Sequence, residues 1–339
     1  METIKKVIAS IFAILFIITA IVALILFNFD RRAFTAETYQ KAFENANFYD
    51  QLPAIMAETM FSTTTQQDEL PVVMRGMSAQ AWEAFFRTLL PQDVLKTMGD
   101  DALNSVFAYL NMQTDLAEIS LMPLKAGMVS DTGAQAVFTL LKSQPNCTLF
   151  QIAQMTIDLL SNSQIQFCNP PEDMIPLLTP VVQGQMQVVV LVLPDKFTLI
   201  SAPPENDPRQ KLRIARTIMR LSPTLPLFFL ILMTIFAVNS LKSWLGWWGI
   251  PFFITGVLAG LMGLGGAPVV GAIFHRFLAS RIPVFLPSIM LDYANNLASA
   301  MVQTLLNPFL WQGFLIALIG LVMVGISYFT KNQKLAARN

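Results

Sequence analysis

The sequence predicts a mainly α fold: a four-helix transmembrane region plus an α-rich extracytoplasmic domain with a small two-stranded β ribbon. Three observations predict it. Residues 7–27, Val7 to Phe27, contain no charged side chain. No comparable run recurs until about Leu225, after which further apolar stretches follow closely. Between them lie polar-to-amphipathic residues whose apolar side chains recur mostly at helical spacing. Composition agrees: 54% of the chain is apolar and 13% charged, against about 45–50% and about 25% in soluble domains.

A helix over 7–27 can cross a hydrocarbon core of about 30 Å at about 1.5 Å per residue. It exceeds the usual core of a cleaved signal peptide, the alternative reading, and no convincing small-x-small site precedes Asp30. The remaining spans are read at about 225–241, 250–271 and 308–329. The chain thus divides into 1–28 (tail and first span), 29–207 (extracytoplasmic domain) and 208–339 (a basic juxtamembrane helix, three spans and a short tail). Lys5 and Lys6 before the first span, Lys242 between the second and third, and Lys331, Lys334 and Arg338 at the end place both termini in the cytoplasm. Arg31, Arg32 and the basic cluster at 209–220 oppose that orientation, and Asp30 and Glu37 offset the first two.

The two cysteines favour the same orientation. Cys147 precedes a helix read at about 148–161, and Cys168 lies beyond it. A helix of about 14 residues is about 21 Å long, which the extended return to Cys168 can cover at about 3.3 Å per residue. A Cys147–Cys168 disulfide is therefore feasible and implies an oxidising compartment; two unpaired buried cysteines are the alternative.

In the outer domain, Thr35 reads as an N-cap ahead of Tyr39, Ala42, Phe43 and Ala46, which share one helical face. Ser78 opens a second helix with Trp82, Phe85, Phe86, Leu89 and Leu90. A third takes in Leu103, Val106, Phe107 and Leu110, and further helices cover about 131–143, 148–161 and 172–192. Residues 117–121 and 196–200 alternate with period two and are expected to pair as the ribbon. Val188–Leu193 is apolar but too short to span alone. Trp82, Phe85 and Phe86 read as core in preference to a ligand pocket. Asp100, Asp101 and Asn104 read as a solvated helix start in preference to a metal motif. Asn146-Cys147-Thr148 is a weak glycosylation sequon.

Gly256 and Gly260 lie on one face of the third span and favour close helix packing. Trp244, Trp247, Trp248 and Trp311 suit interfacial aromatic belts, and 288–306 reads as an amphipathic outer helix. Arg209, Lys211, Arg213, Arg216 and Arg220 form a basic membrane-surface helix. Its cations are read equally as contacts to lipid phosphates or to the acidic domain, since 29–205 carries 19 acidic against 9 basic residues. That acidity argues against nucleic acid as a partner.

Catalytic chemistry has little to work with. His275 is the one histidine, and two cysteines make a four-cysteine metal site impossible. No catalytic, metal or cofactor residues are expected, and no enzyme. No span carries a central charge of the kind that marks ion-coupled transport.

Thr38-Tyr39 with Tyr49-Asp50-Gln51-Leu52-Pro53, the Cys147…Cys168-Asn169-Pro170-Pro171 pair, and Trp244-x-x-Trp247-Trp248-Gly249-Ile250-Pro251 carry a resemblance. Together they resemble a bacterial family of uncharacterised four-span membrane proteins with a large outer helical domain, which implies the layout and no activity. The expected function is a multi-pass cell-membrane protein whose outer domain binds a partner, scaffolds or senses envelope state. The expected partners are the lipid bilayer and an envelope protein or a second copy. The alternative is an oligomeric channel or a lipid or small-molecule transporter.

Overall fold

An apolar helix with an outward stripe of Ile and Val opens the chain. In the computed structural model, which describes residues 2–63, 78–142, 144–148, 150–152, 154, 168–201, 207–281 and 288–336, the first elements are α1 (Glu2–Ala33), α2 (Ala36–Asn45), α3 (Phe48–Thr63), α4 (Ala79–Leu89) and α5 (Gln92–Leu110). Then come β1 (Leu116–Ser120), α6 (Met122–Val129), α7 (Asp131–Leu141), a 3-10 turn (Glu172–Met174), α8 (Ile175–Val192) and β2 (Lys196–Ser201). The chain closes with α9 (Arg209–Leu221), α10 (Thr224–Ala237), α11 (Leu241–Arg281) and α12 (Ser288–Ala336). The fold is mainly α with a small antiparallel ribbon. Residues 1–42, 204–283 and 294–339 form one unit, and 43–203 with 284–293 another.

In the first unit α1 packs on α9, α10 and α11. Ala9, Phe16 and Ala20 meet Leu230, Met233 and Ala237, and Phe12 stacks on Phe229 and Phe236. Val7, Ile11, Ile14, Ile18, Val22 and Ile25 remain exposed at helical spacing. A helix apolar on both its packed and its open face is the pattern of a membrane span. Among the described residues, five stretches are long and apolar enough to cross a membrane: Thr3–Ala33, Glu172–Val192, Arg209–Ala237, Leu241–Gly266 and Tyr293–Thr330. They suggest a multi-pass membrane protein.

The spans differ from their sequence-based boundaries in instructive ways. Helix α10 ends at Ala237, because Val238 turns to extended backbone. Helix α11 starts just beyond Ser240, whose carbonyl accepts from the Trp244 N–H and whose hydroxyl accepts from the Ser243 N–H. It runs without a break through Pro251 and Pro268. Likewise 288–306 is not a separate outer helix but continues through Pro308 as part of α12. A proline inside a membrane helix is tolerated where neighbouring helices and local adjustments accommodate the freed carbonyl.

Helices α11 and α12 meet antiparallel along a seam of small residues. Gly246, Gly249, Phe253, Gly256, Gly260 and Gly263 recur at alternating three- and four-residue steps. Leu306, Leu310, Gly313, Ala317, Gly320, Val324 and Ser327 do the same on α12. A methyl group on Gly256 would stand 2.6 Å from the Gly313 carbonyl oxygen, and one on Gly313 would stand 2.5 Å from the Gly260 nitrogen. One on Gly249 would stand 3.0 Å from the Gly320 oxygen. Backbone meets backbone here, which is why the positions hold glycine.

The second unit is built around small apolar clusters. Trp82 is buried, stacks on Phe86 at 5.7 Å and packs with Ala57 and Leu140. Ala134, Phe138 and Leu141 of α7 pack on Leu178 and Val182 of α8 and on Cys168. The ribbon pairs β1 with β2 antiparallel, Ile119 opposite Phe197 and Glu118 opposite Thr198, with an irregularity at Ala117. Cys147 and Cys168 are joined in a disulfide with their Cα atoms 5.0 Å apart. Most of the helix read at 148–161 lies outside the described residues.

Candidate functional site: a groove among the membrane helices

The first unit contains a groove of about 640 Å³. Ser10, Ala13, Ile14 and Ile17 of α1 form one wall, and Gly246, Trp247, Ile250, Pro251 and Ile254 of α11 form another. Ser240, Lys242, Ser243 and Ser327 gather at one end. The lining follows from helix periodicity. Residues 10, 13, 14 and 17 share a face of α1, and 243, 246, 247, 250, 251 and 254 share a face of α11. Gly246 and Pro251 contribute little side-chain bulk, which leaves the space between the walls open.

The two ends of the groove differ chemically. The walls are aliphatic with one indole, and the twelve helical steps from Lys242 to Ile254 cover about 18 Å of helix axis. That matches one leaflet of a hydrocarbon core of about 30 Å. At the other end Ser10 donates to the Lys6 carbonyl (2.9 Å), Ser243 to that of Ala237 (2.8 Å) and Ser327 to that of Lys242 (3.2 Å). Those hydroxyl protons are committed to the backbone. Lys242 is the single charged side chain of the lining among the described residues.

A polar cluster secures the other end of α1. Asp30 is 4% exposed and accepts from Nε of Arg216 and Nε of Arg220, both at 2.8 Å. The Arg216 guanidinium also lies 4.6 Å from the Phe34 ring centre. Asn28 and Gln312 exchange amide hydrogen bonds of 2.7 and 3.0 Å, and Arg32 donates to the Thr304 carbonyl at 3.4 Å. Helix α1 is thereby fastened to α9 and α12.

The basic helix α9 is organised by these contacts. Arg209 is buried and bonds Asp207, with the side chains 2.7 Å apart, and this hydrogen bond holds the Asp207 carboxyl below its ordinary range. Arg216 and Arg220 pair with Asp30, while Lys211 and Arg213 are exposed. Opposite the arginines, Ile214, Ile218 and Leu221 form an exposed apolar stripe. Arg209 and Arg216 thus turn in while Ile214, Ile218 and Leu221 face out, the reverse of the pattern of a helix in water.

The other sites singled out in the sequence fall as follows. Gly256 and Gly260 lie on the α11–α12 seam, though only Gly256 turns its missing side chain towards α12. Trp248 stacks on Phe252 and donates to the Thr234 hydroxyl at 2.9 Å, which places it inside the helix packing. Trp244 tilts against Trp248, Trp247 lines the groove and Trp311 is exposed. Asn146 bridges to Asn169 beside the disulfide. Asp100 accepts from Tyr49 and from Lys96. Among the described residues, no group of three or more His, Cys, Asp or Glu could hold a metal ion.

Fold and groove define a class: a mainly α protein with several membrane-compatible helices and an amphipathic cleft among them. Comparison with protein-family models, curated proteins and solved structures finds no match.

Proposed function

We propose that this chain is a non-catalytic multi-pass protein of the cell membrane that holds a lipid between α1 and α11. The observation that carries the reading is the groove, aliphatic along one leaflet's depth and polar at one end. The aliphatic walls favour an acyl chain by removing its methylenes from competing contacts and by close dispersion packing. The α11–α12 seam argues against a pore along the glycines, because those faces are already filled by backbone. In the proposed orientation both termini are cytoplasmic and the disulfide-containing unit is extracytoplasmic, in keeping with the chemistry that maintains disulfides. Native mass spectrometry of the purified protein tests the reading. A lipid adduct that survives delipidation is expected for the wild type and lost in Ile14→Trp, which fills the groove from an exposed position. A wild type that sheds all lipid removes the proposal.

A second reading, partner binding by the other unit, is favoured by one observation. Leu191 and Val192 at the end of α8 are 84% and 83% exposed, and Phe197 on β2 is 56% exposed. Apolar side chains clustered in this way often mark an interaction surface. Photo-crosslinking from position 197 in cells is expected to give a discrete protein adduct, and none forms if the reading fails.

A further inference from the structure

The groove's polar end carries information about the head of the molecule it holds. We infer that the ligand is an anionic phospholipid of the surrounding bilayer, with one acyl chain along α1 and α11 and its headgroup at Lys242. The inference rests on the lipid-holding reading above and adds the sign of the headgroup charge.

The argument is one of charge complementarity at a defined depth. Among the described residues, Lys242 is the lone charge in the lining, and no carboxylate there opposes it. Its ammonium makes no ion pair among the described residues. The neighbouring serines cannot supply the same recognition. Ser10, Ser243 and Ser327 each donate their hydroxyl proton to a backbone carbonyl, so they offer mainly acceptor lone pairs. The lysine therefore sets the preference, with the Ser240 hydroxyl beside it as a second donor. Lys242 is the second residue of α11, so the positive end of that helix adds to the same field. An anionic head gains from this field. A zwitterionic head brings its own cation to the same end and gains less.

Quenching of Trp247, which lines the groove, reads occupancy directly. The full-length protein is reconstituted in vesicles containing phospholipids with brominated acyl chains, either phosphatidylglycerol or phosphatidylcholine. The Trp247 signal is the difference between wild type and Trp247→Phe. Brominated phosphatidylglycerol is expected to bind about fivefold more tightly, the worth of one lysine at an anionic membrane surface. Lys242→Gln is expected to weaken quenching by brominated phosphatidylglycerol to the level of phosphatidylcholine, and Lys242→Arg to retain the preference. Equal quenching by the two lipids in the wild type would overturn the headgroup assignment and leave lipid holding in place. No quenching of Trp247 by either lipid would overturn the lipid-holding reading itself.

Discussion

The Asp30 carboxylate and the Arg216 guanidinium meet at 2.8 Å across 186 positions of sequence, and the two side chains are 4% and 14% exposed. Removing one member of such a pair leaves the other charge buried without compensation, at a cost of about 3–5 kcal/mol. Asp30→Asn is expected to lower the unfolding midpoint in detergent sharply. The double variant Asp30→Asn with Arg216→Gln should lose less than the sum of the single changes, which a double-mutant cycle measures.

The helix seam makes a position-specific prediction. Gly256→Leu and Gly320→Leu place side chains where backbone already sits, and overpacking costs about 1–3 kcal/mol or more. Gly260→Ala points into open space, since nothing lies within 4 Å of its added methyl. Thermal unfolding of the three variants should separate them: two clearly destabilised, the third near wild type.

Tyr49 predicts a pH dependence in the second unit. Its phenol is held above the ordinary tyrosine range by burial first, and then by the Asp100 carboxylate that accepts its hydrogen bond. The folded state keeps this proton after the unfolded chain has lost it near pH 10. The stabilisation is full below pH 10 and is lost as pH rises towards the folded value. Lys96, raised by its bonds to Glu44 and Asp100, acts in the same direction. Tyr49→Phe should flatten part of the decline in stability above pH 10, as urea titrations at several pH values would measure.

The disulfide closes a loop of 21 residues' separation, and Cys168 belongs to the α7–α8 core. Paired serine substitution is expected to lower the stability of that unit by about 3 kcal/mol in the chain-entropy model. Dithiothreitol treatment should reproduce the effect in wild type and do nothing further to the variant.

Met112 occupies left-handed backbone, with φ of 60°. A non-glycine residue there carries a penalty of about 1 kcal/mol. Met112→Gly should be neutral or slightly stabilising, which differential scanning calorimetry can resolve.

Local features of the chain were readable from sequence because they follow short-range rules. The ribbon was visible in the alternation of 117–121 and 196–200, and Trp82 in its aromatic stripe. Other features depend on residues far apart. Nothing near Asp30 announces that Arg216 and Arg220, four apart on a helix nearly two hundred residues away, will converge on its carboxylate. The helix seam was half visible: Gly256 and Gly260 stood out, but the seven-residue spacing of Gly249, Gly256 and Gly263 acquires meaning only beside Gly313 and Gly320. Pro251, Pro268 and Pro308, a residue type that ends or kinks a helix in water, are accommodated within α11 and α12. The groove had no sequence signature, since aliphatic residues that line a cleft look the same as those that fill one.

The glycine seam also constrains traffic through the bundle. With main chain against main chain from Gly249 to Gly263, the α11–α12 hairpin leaves no file for water or an ion between its arms. On the α1 side of α11 the helices stand apart, and Ile14 and Ile250 face the groove between them. The glycines thus act as a closed wall on one side of α11, while the groove opens on the neighbouring side, with Gly246 at the edge between them.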